Sequence, residues 1–559
     1  MSPTADVILL GGRIHTCDEQ AGTVQALAIK GRHVQAIGRD AEVSLLADHT
    51  TRRVELNGRC VIPGMTDGHA HMDREGLRGQ LPSLGAGQTL EEVLDAIADA
   101  TRRVPDGEWI VTQPMGLPPE YVPGPGGIAD GRIPNRHDLD RVSPRHPVYI
   151  RSIWGYWRNA VPLVSVANSL ALKLAGIDEG TRAPSPDVRI EVDLRGCPTG
   201  VFREDTLVPV VEHTLMRCAP GFSASQRLAG LLEGMERYNA FGTTAIFEGH
   251  GVAEEVMHAY RTAREMGRAT VRGVLTFSPN WQIRATGEAA EMLNEYSRWA
   301  ARQPGADAWL RTVGLYAEVD ADPLNNRLRA ANAPCTGWAG FQSGCALPQE
   351  VLQGLAIEAA RAGIRLAGIW PNLLPIFERA NRAHSIHALR WVWGHQSVLD
   401  SEQIARVAEL GLAITTHTNR HIYKDGLRLL QRHADRPEDI VPLRRLLDAG
   451  VQVSFGSDNL PPSLFGPMAH ATNRLCREGT QIAPAQAISR AEALGVAVRG
   501  GAWLCGDETV RGRLVPGHLA DLCVLSGDPL SCEEAALPAI RAQEVFVDGL
   551  RVFPSCFSN

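Results

Sequence analysis

Residues 61–71 read Val-Ile-Pro-Gly-Met-Thr-Asp-Gly-His-Ala-His, and no other stretch restricts the fold so tightly. A short apolar run reaches Pro63 and Gly64 and leads into a strand that is expected to end in two histidines one residue apart. Alternate residues of a strand point to the same side. On that geometry His69 and His71 reach one metal ion through neutral imidazoles, the commonest protein ligands for zinc. A His-x-His pair alone is a weak signal, because surface pairs of this kind arise by chance. Placed after Pro-Gly-Met-Thr-Asp-Gly, the pair is far more specific.

Between residues 243 and 458, short β-rich runs alternate with helical patterns. Thr243–Phe247, Ile364–Gly368, Trp391–His395, Leu412–Thr416 and Val451–Asp458 read as strands, and residues 350–362, 400–410 and 443–449 as helices. The alternation implies βα units and an α/β fold, a (β/α)8 TIM-like barrel. Barrel active sites lie at the C-terminal ends of strands, where His69, His71, His395 and Asp458 all fall. Taken singly, His395 is also readable as a hydrogen-bonded histidine at a helix start, and Asp458 as a turn or cap residue. Glu248 and His250 follow the Thr243 strand, and Glu248 is a candidate metal ligand. His417 and His421 read as ordinary loop histidines.

The motif at 61–71 resembles the first barrel strand of the amidohydrolase superfamily. Gly512-Arg-Leu-Val-Pro-Gly-His-Leu-Ala-Asp521 near the C-terminus, and the β-rich runs at both ends, resemble it too. In that family the two termini pair into one small β-sandwich beside the barrel. The expected division is therefore residues 1–62 with 505–559 as a composite β-sandwich and 63–504 as the barrel, with a long insertion at about 73–230. Ile133-Pro134 with His137-Asp138-Leu139-Asp140, Asn168-Ser169 with Ala171-Leu172, and Gly196-Cys-Pro-Thr-Gly200 through Glu204 resemble the amidohydrolase-3 branch, the long-chain enzymes that include N-substituted formamide deformylases. That resemblance implies a metal-dependent hydrolase of a non-peptide carbon–nitrogen bond in an amide, formamide, carbamate or cyclic amide. Asp458 would be a metal ligand and proton acceptor, and His395 a ligand or a polarising group. Glu204 is a weaker site candidate.

The chain departs from the branch in three places. Val313-Gly314-Leu315-Tyr316 carries no lysine on the fourth strand. Arg365–Trp370 carries no histidine on the fifth, and Gly155-Tyr156 stands where the insertion has Gly-His. Loss of the bridging lysine argues for one metal ion per chain over two. Three protein ligands plus water suffice for catalytic zinc, and Glu318 or Glu248 is available to replace a missing ligand. Two other readings stay open. Gly394–Leu399 and Gly456–Asp458 also resemble deaminases of amino-heterocycles, and a catalytically degenerate binding protein on the same scaffold is the third. Trp154, Tyr156, Trp157, Trp370 and Trp393 suit a flat apolar substrate, although core packing accounts for at least half of such residues.

Composition narrows the remaining classes. A chain of 559 residues with net charge −7 and no basic block carries no nucleic-acid or anionic-membrane footprint. The start lacks a basic region followed by an apolar one, and no apolar run is long enough to span a bilayer. Eleven cysteines without CxxC pairs suit reduced thiols. A cytoplasmic enzyme acting on a small molecule is expected, with room for a homo-oligomer.

Overall fold

Parallel strands covered on both faces favour apolar residues, and the strands after residue 240 are mostly buried, with Glu248, Arg272 and Arg365 among their apolar residues. In a computed structural model, residues 4–118, 121, 128–152, 162–206, 208–281, 288–301, 307–331, 337–458 and 461–554 are described. Eight parallel strands form the barrel: β1 (Met65–Asp67), β2 (Thr243–Val252), β3 (Arg272–Phe277), β4 (Leu310–Tyr316), β5 (Arg365–Gly368), β6 (Val392–Trp393), β7 (Ala413–Thr416) and β8 (Gln452–Phe455). They are hydrogen-bonded in chain order from β1 to β8. The seam between β8 and β1 is closed at its C-terminal end, where Gly68 N–H donates to Phe455 O at 2.7 Å and Asp458 N–H to His69 O at 3.0 Å. This is the TIM-like barrel expected from the alternation.

Local chemistry sets the helix ends. Asp400 caps helix Ser401–Glu409 by accepting from Gln403 N–H at 2.8 Å, and the Gln403 side chain returns a bond to Asp400 N–H. Helix Gln349–Ala362 stops at Gly363, whose φ of 69° suits a residue without Cβ.

Strands from both ends of the chain build two further sheets. Val7–Leu10, Ala26–Lys30, His33–Gly38 and Arg52–Glu55 form one. In the other, Arg13–His15, Thr23–Val24 and Cys60–Pro63 join Leu522–Leu525, Ala542–Val547 and Leu550–Phe553. Leu9, Ile14, Leu27, Val61, Leu522 and Phe546 belong to one apolar cluster between them. Within the insertion, five strands from Ile110 to Glu204 make a separate sheet. No helix among the described residues is long and apolar enough to cross a membrane.

One expectation needs correction. β1 ends at Asp67, so His69 and His71 do not lie on a strand. They occupy the turn beyond it, and His71 is the residue that precedes α1 (Met72–Leu77). The turn, not strand alternation, brings their rings to 5.2 Å.

Candidate functional site

Four strand ends and one strand deliver side chains to a single point. His69 and His71 follow β1, His395 follows β6, His417 follows β7 and Asp458 follows β8, while His250 lies on the long β2. His69 Nε2 is 3.1 Å from His395 Nε2, and His71 Nε2 is 3.1 Å from Asp458 Oδ1. The His417 ring is 4.8 Å from that of His69 and 4.1 Å from that of His395. His250 stands 5.4 Å from His71 and stacks on Phe341 at 4.6 Å. Potential ligand atoms of His69, His71 and His250, and separately of His69, His395 and His417, lie within 4.8 Å of one another.

The backbone is specialised at the two residues that the sequence singled out beyond β1. His395 has φ 60° and Asp458 φ 53°, conformations uncommon outside glycine that persist only where surroundings impose them. His395 N–H is held by Thr415 O at 3.1 Å. Gly456 is required by close approach: a Cβ there would lie 2.6 Å from His69 Cβ and 2.7 Å from His417 Cε1. Buried Asp67 ties β1 to β8, accepting from His69 N–H at 3.1 Å and Ser457 N–H at 3.0 Å.

Electrostatics favour neutral imidazoles. Burial, reinforced by His417, holds His69 well below its ordinary value. Burial and Arg74 do the same for His71, and burial and His417 for His395. Burial takes His417 down to about 4 and His250 to about 3. Neutral rings offer lone pairs to a cation. The donor set fits a metal ion on a further ground. His71 Nε2 forms no hydrogen bond although Asp458 Oδ1 is 3.1 Å away, as expected of atoms aimed at a shared point.

Glu248 is placed differently from the others. It is wholly buried behind His71, its Oε1 accepting from Tyr260 O–H at 2.7 Å and Met72 N–H at 2.9 Å, with Oε2 3.7 Å from His71 Nδ1. Burial and Asp73 push its carboxyl well above the usual range. The separation from His71 Nδ1 is too long for a hydrogen bond, and Glu248 Oε2 closes none. Glu204 faces Val210 and Val211 N–H, at 3.1 Å for the second, and does not line the cavity.

A cavity of about 1160 Å³ opens above the cluster, lined by His71, His250, Glu318, Trp370, His395 and Asp458 among others. Trp393 is packing, buried with its indole N–H on Trp370 O at 2.9 Å. Trp154, Tyr156 and Trp157 lie outside the described residues. His417 and His421 differ from the loop histidines expected: both are buried, and His421 lines the cavity. His417 ends a strand run as His395 does, and that signal was present in the sequence. Arg74, 3.9 Å from Asp458 Oδ1, had none.

A family model described as the amidohydrolase family matches residues 52–553. An N-substituted formamide deformylase of Arthrobacter pascens is 24% identical over 98% of this chain and 98% of its own length. A putative amidohydrolase, YtcJ, of Bacillus subtilis is 23% identical over 97% and 98%. An uncharacterized metal-dependent hydrolase from Pyrococcus horikoshii superposes with TM-score 0.68 at 19% identity, covering 95% of this chain and 99% of that one, a likeness of fold.

Proposed function

The chain belongs to the amidohydrolase family, and on that premise we propose that His69, His71, His395 and Asp458 hold one divalent ion, zinc by ligand type, in a hydrolase of a non-peptide carbon–nitrogen bond. The observation that carries the reading is the pairing of His69 with His395 and of His71 with Asp458, each at 3.1 Å, at the cavity floor. When bound, such an ion polarises a carbonyl and lowers the pKa of a water from about 15.7 toward about 7. Asp458 accepts the proton of the attacking water and hands it to the leaving nitrogen. Glu248, 3.7 Å behind His71 Nδ1, would act on that ring electrostatically. Burial excludes bulk water from the histidines, which strengthens every polar interaction made there.

The substrate is a small molecule, and the similarity to a formamide deformylase favours N-acyl or N-formyl amines. The same reading assigns residues 63–504 to catalysis and residues 1–62 with 505–559 to support. It places the enzyme in the cytoplasm, in keeping with free thiols at every described cysteine.

The test is metal analysis of protein purified without added metal, followed by chelation, zinc readdition and assays on formamides, N-acyl amines, carbamates and amino-heterocycles. We expect about one ion per chain, activity lost on chelation and restored by zinc, and amine plus carboxylate as products. The double variant His69→Ala/His71→Ala should fold and retain no ion. Ammonia released from amino-heterocycles alone would move the enzyme to the deaminases. Full metal content in the double variant would refute the ligand set.

A further inference from the structure

Away from the histidine cluster, a second group of metal-ligating side chains gathers on one face of the six-stranded terminal sheet. Parallel pairing puts Arg13 beside Cys60, and His15 lies opposite Thr23 on the outer strand. Leu525, opposite Cys60 on the next strand, leads directly to Asp528. His15, Cys60 and Asp528 therefore meet although they come from three segments of chain. Potential ligand atoms of all three lie within 4.8 Å of one another. His15 Nδ1 is 3.0 Å from Thr23 Oγ1, which turns Nε2 toward Asp528 Oδ1, also at 3.0 Å. Leu530 N–H, Ser531 O–H and Arg13 hold the carboxylate from its other sides. Cys60 is 4% exposed, and its thiol makes no hydrogen bond among the described residues.

The donor types say what such a group takes. An imidazole whose second nitrogen rests on a hydroxyl is oriented as ligating histidines are. Zinc bonds of about 2.0–2.3 Å place tetrahedral ligand atoms about 3–4 Å apart, and His15 Nε2 and Asp528 Oδ1 already stand so. An ion pair of His15 with Asp528 would account for those two groups and not for a buried sulfur within reach of both. We infer that His15, Cys60 and Asp528 form a second metal site, which takes one zinc-class divalent ion through nitrogen, sulfur and oxygen with water as fourth ligand. Binding releases the thiol proton to solvent and leaves His15 as the tautomer protonated at Nδ1, with Nε2 on the ion. The site is weaker than the histidine cluster for two reasons. Burial, assisted by Asp528, Cys523 and Cys17, pushes the Cys60 thiol up against the opposing charge of Arg13, so the ion must displace a tightly held proton. Arg13, 3.0 Å from Asp528, also repels a cation. Protein purified without added metal should thus carry no ion here, and the site fills when zinc is in excess. Once filled, it clips both ends of the chain at the strand that leads into β1. None of this depends on the reaction proposed above.

Cobalt(II) titration reads the site, because thiolate-to-cobalt charge transfer absorbs in the near ultraviolet and the ligands of the histidine cluster include no sulfur. Protein as purified should take up about one further equivalent of cobalt with that band. The His69→Ala/His71→Ala variant should show the same band with its first equivalent. Cys60→Ser should lose the band, while His15→Gln and Asp528→Asn should need at least about tenfold more cobalt to develop it. Excess zinc should raise the melting temperature of the wild type and not that of Cys60→Ser. If Cys60→Ser does not fold, His15→Gln and Asp528→Asn carry the test. A wild type without the band, a band that survives in Cys60→Ser, unchanged cobalt affinity in both His15→Gln and Asp528→Asn, or equal zinc shifts in wild type and Cys60→Ser would each overturn the inference, and each leaves carbon–nitrogen hydrolysis standing.

Discussion

Asp458 combines a left-handed backbone, φ 53°, with a carboxylate 3.1 Å from His71 Nε2. Asparagine tolerates that backbone as well as aspartate does, so Asp458→Asn should fold normally while losing the base. Its kcat is expected to fall by about 10²–10⁴-fold with KM changed far less, the signature of an interaction made in the transition state. Steady-state kinetics on any substrate that responds to metal removal checks this. Unchanged turnover would make Asp458 a turn residue. His69, His71, His395 and Asp458 were legible as candidates because each closely follows an apolar strand run, so position and residue type pointed the same way. Glu248 was legible as an acid near the site but not in its orientation. That depends on Tyr260 and the Met72 N–H, contributed by other segments of chain. His417 was passed over because loop histidines are common, although it ends a strand run as His395 does; its ring contacts with His69 and His395 show its place in the cluster.

At the scale of elements, α1 and α2 (Ala224–Asn239) meet backbone to backbone. A Cβ on Gly76 would lie 1.6 Å from Gly230 O, and one on Gly234 would lie 2.2 Å from Met72 O. Neither neighbour is a flexible side chain, so the helices must part to admit a methyl group. Gly76→Ala should therefore destabilise by about 1–3 kcal/mol or more, as overpacked sites do. Because α1 starts directly after His71, the same variant should also bind metal more weakly. Thermal melts and metal titration read the two effects, and full metal affinity at a lowered melting temperature would detach the helix contact from the site. The barrel order was legible because each βα unit repeats a strong local pattern. The helix contact was not, since Gly76 lies far in sequence from Gly230 and Gly234 and the two runs carry no mark of each other. The turn holding His69 and His71 was misjudged as strand for a related reason: Gly68 bonds across to Phe455, a partner almost four hundred residues away.

Across the whole molecule, charge ties the terminal sheets together and to the barrel. Asp528 receives Arg13 and His15, each at 3.0 Å. Burial opposes ionisation of Asp528, but the Leu530 N–H, Arg13 and His15 outweigh it and take the carboxyl down to about 2. A carboxyl whose folded value is depressed stabilises above its unfolded value and loses that contribution as pH falls through the folded one. The stability gap between wild type and Asp528→Asn should thus be full above about pH 4 and shrink as pH approaches about 2, as urea melts at a series of pH values would show. The deeper tie is Arg272, first residue of β3 and 1% exposed at its side chain. Its guanidinium donates to both oxygens of Asp521, at 2.7 and 3.0 Å, to Asp548, and to Ala308 O at 2.9 Å. Asp548 also takes the Trp309 indole N–H at 2.8 Å and pairs with Arg32 at 2.9 Å. Barrel, N-terminal and C-terminal segments therefore share one network, and Asp521, the Asp of the Leu-Ala-Asp run, is part of it. Arg272→Met would leave Asp521 and Asp548 buried without their main cation, and breaking a buried pair in this way typically costs about 3–5 kcal/mol. Removing the charges together should be milder, so the triple variant Arg272→Met/Asp521→Asn/Asp548→Asn is expected to recover a large part of that loss. Urea melts of the single and triple variants decide it. A triple variant no more stable than Arg272→Met would mean that the network stabilises by its attraction, and that the stranded carboxylates are not the source of the loss.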